Sequence, residues 1–478
     1  MKRILFSLIA ISSLLFMTTC DRVDYGDLNQ NPNAGNEANV DALFRHAIAR
    51  YFSQSGGSYL TAPIVLSQYE SETVYTDVQT YTVYAGSWSV AYAYVLSNLK
   101  EITLVEEDIR GGTENIAAMA EILSVFVWKR LTDSYGDIPY SEALQKAENV
   151  TPAYDAQETI YKDLIARAKA ARDQLGTEGA FAPDETIDIL YGGDLDKWHK
   201  LANSLIMAIS LQMSNKIPST SGEAATAFQE ALASGPIAEN GDNLVFVPDP
   251  TGNVVNPFSG LRPADYALSQ EFVDALKGVT TGLSPTSNSV YDNRIQRIAN
   301  NVALSGLPYG HISYSSTSGW AQINTAITAA STSLHFFTSA YTYLLRAEAA
   351  AIGWTTEDAA AMLRSGIEHS YEQWNVGGAD SYAGARVSDI STYGLERVIG
   401  EEKWVALFPE GVTAWAEQRR TGYPALLPAP DAVNGGVLPS RFMYPSEEST
   451  SNTANWERAL SGLSPATDAN TSKPWFMN

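Results

Sequence analysis

Apolar residues recur at helical spacing along most of the chain. Between residues 161 and 175, Tyr161, Leu164, Ile165, Ala168 and Leu175 fall on one face at a period of 3.6, the pattern of a surface helix with a buried stripe. Similar patterns predict helices over 40–52, 88–105, 117–131, 195–213, 264–276, 334–352, 357–374 and 395–408. Strand-like alternation is scarce and short. Long stretches without periodicity separate the helices, at 53–87, 178–194, 238–263, 278–332 and 422–478. Loops of such length are uncommon in compact domains and tend to form functional surfaces.

One helix pair is especially legible. Residues 341–354 are followed by a second periodic segment at 358–371, with Ala347, Ala350 and Ala359 small enough for two antiparallel helices to approach closely and Gly353 placed to cap the first. The pair looks like one tetratricopeptide-type unit. Two unrelated helices of an irregular bundle are the alternative, because the period does not recur cleanly.

The first apolar run differs in kind. Lys2 and Arg3 precede an uncharged stretch from Ile4 to Met17, then Thr18, Thr19 and Cys20, with Asp21, Asp24 and Asp27 beyond. The run is too short for a mature spanning helix and reads as a secretory signal over 1–19. Cys20 is the single cysteine of 478 residues, so it has no disulfide partner within the chain, and acylation is its natural use. Thr19 departs from the Gly, Ala or Ser usual before a lipidated cysteine. An ordinary signal cut nearby is the alternative. Residues 20–39, rich in Asn, Asp and Gly, would form a flexible tether. No Pro-rich or charge-run linker divides residues 40–478, which read as a single domain.

Charge narrows the function. With 31 basic and 54 acidic residues the net charge is -23, which argues against nucleic-acid binding and against attachment to anionic lipid by charge. The five histidines (His46, His199, His311, His335, His369) make no helical ligand pair and no HExxH motif. Nucleophile-elbow, phosphate-loop and dinucleotide signatures are missing too. Around Asp249 and Asp292 the spaced oxygen ligands of a calcium loop are lacking. The reading is a non-enzyme with no metal or other cofactor. A glycosidase needs only two carboxylates and is the rival from another class. A purely structural component of the outer membrane is a third.

Several blocks then converge. They are Asp-Tyr-Gly-Asp-Leu-Asn-Gln-Asn-Pro-Asn at 24–33, Thr-Asp-Ser-Tyr-Gly-Asp-Ile-Pro-Tyr-Ser-Glu-Ala at 132–143, Gly-Asp-Leu-Asp-Lys-Trp-His-Lys-Leu-Ala-Asn-Ser at 193–204, and Trp-Ala-Glu-Gln-Arg-Arg-Thr-Gly-Tyr-Pro at 415–424. With segments 234–243, 345–354 and 438–448 they resemble the SusD/RagB family of Bacteroidota nutrient-binding lipoproteins, in family order along nearly the whole mature chain. The resemblance implies an all-α fold of tetratricopeptide-like pairs, with irregular segments packed on one side as a ligand surface. It implies a cell-surface lipoprotein of the outer membrane that captures an oligosaccharide, or less readily a peptide. The expected partner is a SusC-like TonB-dependent barrel, over which the lipoprotein sits as a lid. Locally, the 132–143 and 415–424 blocks read as helix stops: Gly136 supplies a turn, and Arg419 and Arg420 sit beside a helix C-terminus.

A neutral sugar offers C–H faces and a rim of hydroxyls, so its binder needs flat rings and amide or carboxylate groups. Two loop segments supply both. The first holds Tyr69, Glu70, Tyr75, Asp77, Gln79, Tyr81, Tyr84 and Trp88, and leads to Asn98. The second holds Tyr309, His311, Tyr314, Trp320, Gln322 and Asn324. Tyr75, Tyr81, Trp88, Asn98, Tyr309 and Trp320 are the expected ligand contacts. The alternative for each ring is a plug that packs its loop onto the helices.

Overall fold

Helices follow one another along the chain because apolar stripes recur and local caps start and stop them. The computed structural model describes residues 39–54, 58–82, 86–105, 112–252 and 254–477. The signal segment, Cys20 and all of the 20–39 tether but Asn39 lie outside the described residues. Val40–Asn478 forms one compact unit.

The first half contains α1 (Val40–Gln54), α2 (Ser58–Leu66), α3 (Ser97–Leu104, entered through a π-helical turn at Ala91–Leu96), α4 (Glu114–Tyr135), α5 (Gln157–Gln174), α6 (Leu195–Gln212) and α7 (Glu223–Ser234). Each of α4 to α7 packs on its sequence neighbour, the arrangement of stacked antiparallel pairs. The second half contains α8 (Gln270–Lys277), α9 (Ser339–Ala351), α10 (Ala359–Gln373), α11 (Ala379–Tyr393), α12 (Leu395–Leu407), α13 (Gly411–Thr421) and α14 (Thr453–Leu460). The fold is all-α with tetratricopeptide-like pairs, as expected. Among the described residues strand is confined to three two-stranded ribbons: β1 (Glu70–Glu72) with β5 (Tyr266–Leu268), β2 (Ile138–Pro139) with β3 (Tyr154–Asp155), and β4 (Leu244–Phe246) with β6 (Leu334–Phe337). Among the described residues no helix is long and apolar enough to cross a membrane.

The pair read from 341–354 and 358–371 is α9 and α10. Their close approach rests on a residue the sequence reading passed over. A Cβ at Gly366 would lie 2.7 Å from Leu344 Cγ and 3.1 Å from the Ala340 carbonyl oxygen. Asp358 caps α10 by accepting from the Ala360 and Ala361 amides at 2.9 and 3.1 Å.

Two predicted helices begin too early. Residues 264–276 and 334–352 each open with a strand, and the helix starts only after a hydroxyl cap. Ser269 Oγ accepts from Phe272 N at 3.0 Å and Thr338 Oγ1 from Tyr341 N at 3.1 Å, holding extended backbone before the first turn. Helices α2, α7, α11 and α14 were not predicted, the last lying within the 422–478 stretch read as irregular. Gly136 and Gly422 stand at the stops as expected, with α13 ending at Thr421, but α4 runs to Tyr135, one turn beyond the predicted end at residue 131.

The 415–424 block does more than cap. Arg420 binds Glu348 and Glu417, and Lys403 joins the same two carboxylates, all of them buried. Arg419 lies 3.7 Å from the Trp415 ring centroid and donates to the Ser440 and Asp133 carbonyls at 2.7 Å each. A second network joins Arg294 and Arg386 through Glu402. The first network locks α9, α12 and α13 together and the second ties α11 to α12; burial would raise Glu417 and Glu402, but the cations beside them overcome it and lower both, Glu417 well below the usual carboxylate range.

Candidate functional site

The β1–β5 ribbon is the floor from which the two aromatic loop segments rise. Glu72 ends β1 opposite Tyr266. Gln79 folds back onto it: Gln79 Oε1 accepts from Glu72 N at 2.9 Å, Gln79 Nε2 donates to Glu72 O at 2.8 Å, and Gln79 N donates to Glu72 Oε2 at 3.1 Å. This clasp closes the loop 73–78 and projects Tyr75, at φ +58 and 72% exposed.

The second segment is tied to the first at several points. Gln79 Nε2 also donates to His311 O at 3.3 Å. The 263–265 turn lies between the two: Thr73 Oγ1 donates to Ala264 O at 2.9 Å, while Thr317 Oγ1 (3.1 Å) and Gln322 Nε2 both donate to Pro263 O. A third stretch, 429–433, completes the face. Val433 N donates to Thr80 O at 2.9 Å, Asp431 N to Gly310 O at 3.2 Å, and Ile312 N to Asp431 Oδ2 at 2.9 Å. Gly310 permits this crossing, since a Cβ there would meet Ala429 Cβ at 2.4 Å.

On this frame His311, Tyr314 and Trp320 form a row of rings. His311 and Tyr314 meet edge-on at 6.0 Å between centroids, and Tyr314 and Trp320 edge-on at 5.7 Å. His311 Nδ1 lies 3.8 Å from Asp431 Oδ2. Asp77 is exposed on the first loop, and Val74, Ile312 and Val433 add apolar surface. The arrangement offers flat rings with carboxylates beside them, held by backbone that has little freedom to yield.

Beneath the face lie buried carboxylates. Burial, then Glu72 nearby, pushes Glu70 up to about 8. Burial pushes Glu72 up to about 8 as well, with Asp77 adding to it and the Gln79 amide opposing. Glu271, which accepts from Tyr309 N at 3.2 Å, is raised by burial to about 7. Among the described residues no cluster of His, Cys, Asp or Glu is arranged to hold a metal.

Of the expected contacts, the structure brings Tyr75 and Trp320 onto the face. Four others lie elsewhere. Tyr81 (3% exposed) and Tyr309 (2%) are buried side by side below the loops, where Tyr81 Oη accepts from Ala429 N at 3.1 Å. They anchor the segments and present no ring to solvent. Trp88 is 9% exposed among Tyr92, Tyr135, Tyr154 and Tyr444, so the predicted stacking ring is a core plug. Asn98, on α3, donates to Tyr94 O at 2.8 Å and pairs with His46 at 2.9 Å, on helices apart from this face. Tyr69 stacks on Trp404 in the core, Asn324 caps a short helix, and Tyr84 lies outside the described residues. Asp431, Ile312 and Val433 were missed as part of a site. The sequence signal for Asp431 and Val433 was the turn-rich stretch Pro-Ala-Pro-Asp-Ala-Val-Asn-Gly-Gly at 428–436, while Ile312 sits beside His311 within the second segment.

Comparison with known proteins fits this architecture. A family model described as SusD-like, starch-binding and associating with the outer membrane, matches residues 32–445. No curated protein matches. Among solved structures, a SusD homolog from Bacteroides uniformis is 24% identical, with a TM-score of 0.80 over 93% of this chain and 100% of that one. A chitin-binding SusD homolog from Flavobacterium johnsoniae is 23% identical, with a TM-score of 0.78 over 92% and 98%. A SusD-like protein from Bacteroides thetaiotaomicron is 22% identical, with a TM-score of 0.76 over 92% and 98%. With the family pattern matched over residues 32–445 and the helical fold shared over more than nine-tenths of the chain, the chain belongs to the SusD-like family.

Proposed function

We propose that this protein is a non-catalytic binding lipoprotein, acylated at Cys20 and tethered by residues 20–39, whose 40–478 domain captures an oligosaccharide at the cell surface. It then passes the glycan to a SusC-like TonB-dependent transporter in the outer membrane. The observation that carries the reading is the ring row His311–Tyr314–Trp320, built on the same frame as exposed Tyr75 and flanked by Asp77 and Asp431. Rings supply stacking area for C–H faces, and the carboxylates accept hydrogen bonds from hydroxyls. The family description and the chitin-binding relative both favour a glycan over a peptide.

The test is a glycan and peptide array on the domain, followed by titration of Trp320→Ala and Tyr75→Ala. Loss of an aromatic anchor commonly costs about 2 kcal/mol or more in affinity, so each variant should bind at least tenfold more weakly with its thermal transition nearly unchanged. Wild-type affinity in both variants would refute the site. Release of reducing ends from a bound glycan would refute the non-catalytic reading.

A further inference from the structure

A cavity that shares no lining residue with the Tyr75, His311, Tyr314 and Trp320 face lies between β6, the C-terminal end of α10 and Pro409. It measures about 240 Å³, and Ile327, Leu334 and Pro409 give it apolar walls. Its polar lining is unusual. The indole nitrogen of Trp374 and the side-chain oxygen of Gln373 are both buried, and among the described residues neither has a hydrogen-bond partner. One is an obligate donor and the other an acceptor, and leaving such groups unmet costs about 1–3 kcal/mol each. His335 also lines the cavity and is kept neutral by burial, which pulls it down to about 4; its Nδ1 lies 3.5 Å from Asn243 Nδ2, which leaves Nε2 as the ring's other polar atom. Among the described residues no carboxylate lines the cavity, and Arg297 is the one charged lining residue.

We propose that this cavity is a second ligand site, which takes a single neutral pyranose. A hydroxyl both donates and accepts, so one polyhydroxylated ring can meet the Trp374 donor and the Gln373 acceptor while its C–H face rests on the apolar walls. The size favours one ring over a chain, since pockets for drug-sized molecules run from about 300 to 1,000 Å³. Neither Tyr75 nor Trp320 lines the cavity, so the proposal does not depend on the loop face.

The test is titration of the domain with glucose, galactose and N-acetylglucosamine by ligand-observed NMR, with glucuronate as a charged control. Three variants accompany it: Trp374→Phe, which keeps the ring and removes the donor; Ser333→Trp, which fills the cavity from a half-buried lining position; and Trp320→Ala. A neutral monosaccharide should bind wild type and Trp320→Ala alike, bind Trp374→Phe about 3- to 10-fold more weakly, and fail to bind Ser333→Trp. Binding abolished by Trp320→Ala would assign the signal to the loop face and overturn the proposal. Equal binding to wild type and Ser333→Trp would overturn it too, as would a preference for glucuronate, or saturation by none of the neutral sugars.

Discussion

Glu70 and Glu72 give the candidate face a pH dependence whose sign follows from burial. Their folded values, about 8, lie above the ordinary value of 4.5. The folded chain therefore keeps protons that the unfolded chain has already lost. Their contribution is fully present below about pH 4.5 and declines as pH rises through 8, by about 1.4 kcal/mol per unit and per group in between. Glu417 and Glu402 act in the opposite sense, because their lowered values make them lose their contribution only in acid. Glu70 Oε2 is buried without a hydrogen-bond partner among the described residues, so Glu70→Gln removes a charge problem and strands little that was satisfied. Thermal melts should show Glu70→Gln matching wild type near pH 5 and exceeding it at pH 9. A wild-type advantage at pH 9 would show that the carboxylate is stabilised by a partner and not penalised by burial. Trp88 and Trp320 make a second contrast between residues of one type. Trp88→Ala should cost roughly 3–5 kcal/mol of stability with affinity per folded molecule intact, as for any large buried ring. Denaturant melts on the two tryptophan variants should give opposite profiles of stability and binding.

At the scale of elements, how much the sequence disclosed depended on where the deciding interaction lay. Helix α10 was legible because its apolar stripe and its Asp358 cap are local, and the observed Ala359–Gln373 sits inside the predicted 357–374. The strands before α8 and α9 were not, because β5 and β6 are fixed by partners β1 and β4 about 200 and 90 residues away in sequence. The buried ions were hidden for a similar reason. Arg294 and Arg386 look like solvated charges until Glu402 is brought between them. In the site, Tyr75 and Tyr81 are rings of one loop, and only the crossing of residues 429–433 decides which is covered. Gly366 tests the packing between elements. In an exposed helix Gly→Ala stabilises by up to about 1 kcal/mol. Here the added methyl would press on buried Leu344, and overpacking of that kind costs about 1–3 kcal/mol. Gly366→Ala should therefore lower the melting temperature. An increase would mean that α9 and α10 can part without loss.

For the whole molecule, the proposed transfer to a transporter sets demands on anchoring and on contact area. A net charge of -23 gives no electrostatic hold on anionic lipid, so on the proposed function membrane retention would come from acyl chains on Cys20 or from the partner. These two sources can be separated. In cells lacking the barrel, Cys20→Ala should be released from the outer-membrane fraction, while the wild-type protein stays; retention of the variant would refute the lipid anchor. The contact with the barrel must survive cycles of loading and unloading, so it cannot depend on bound glycan. Durable assemblies of this kind bury about 2,000 Å² or more. The wild-type protein, extracted in mild detergent without added sugar, should therefore co-purify with a TonB-dependent barrel. The Trp320→Ala variant should do so equally well, because the proposed function assigns Trp320 to the glycan and not to the barrel. Recovery of the wild-type protein only as a free monomer would remove the transporter from the proposed function, while leaving the glycan face to be judged by its own titrations.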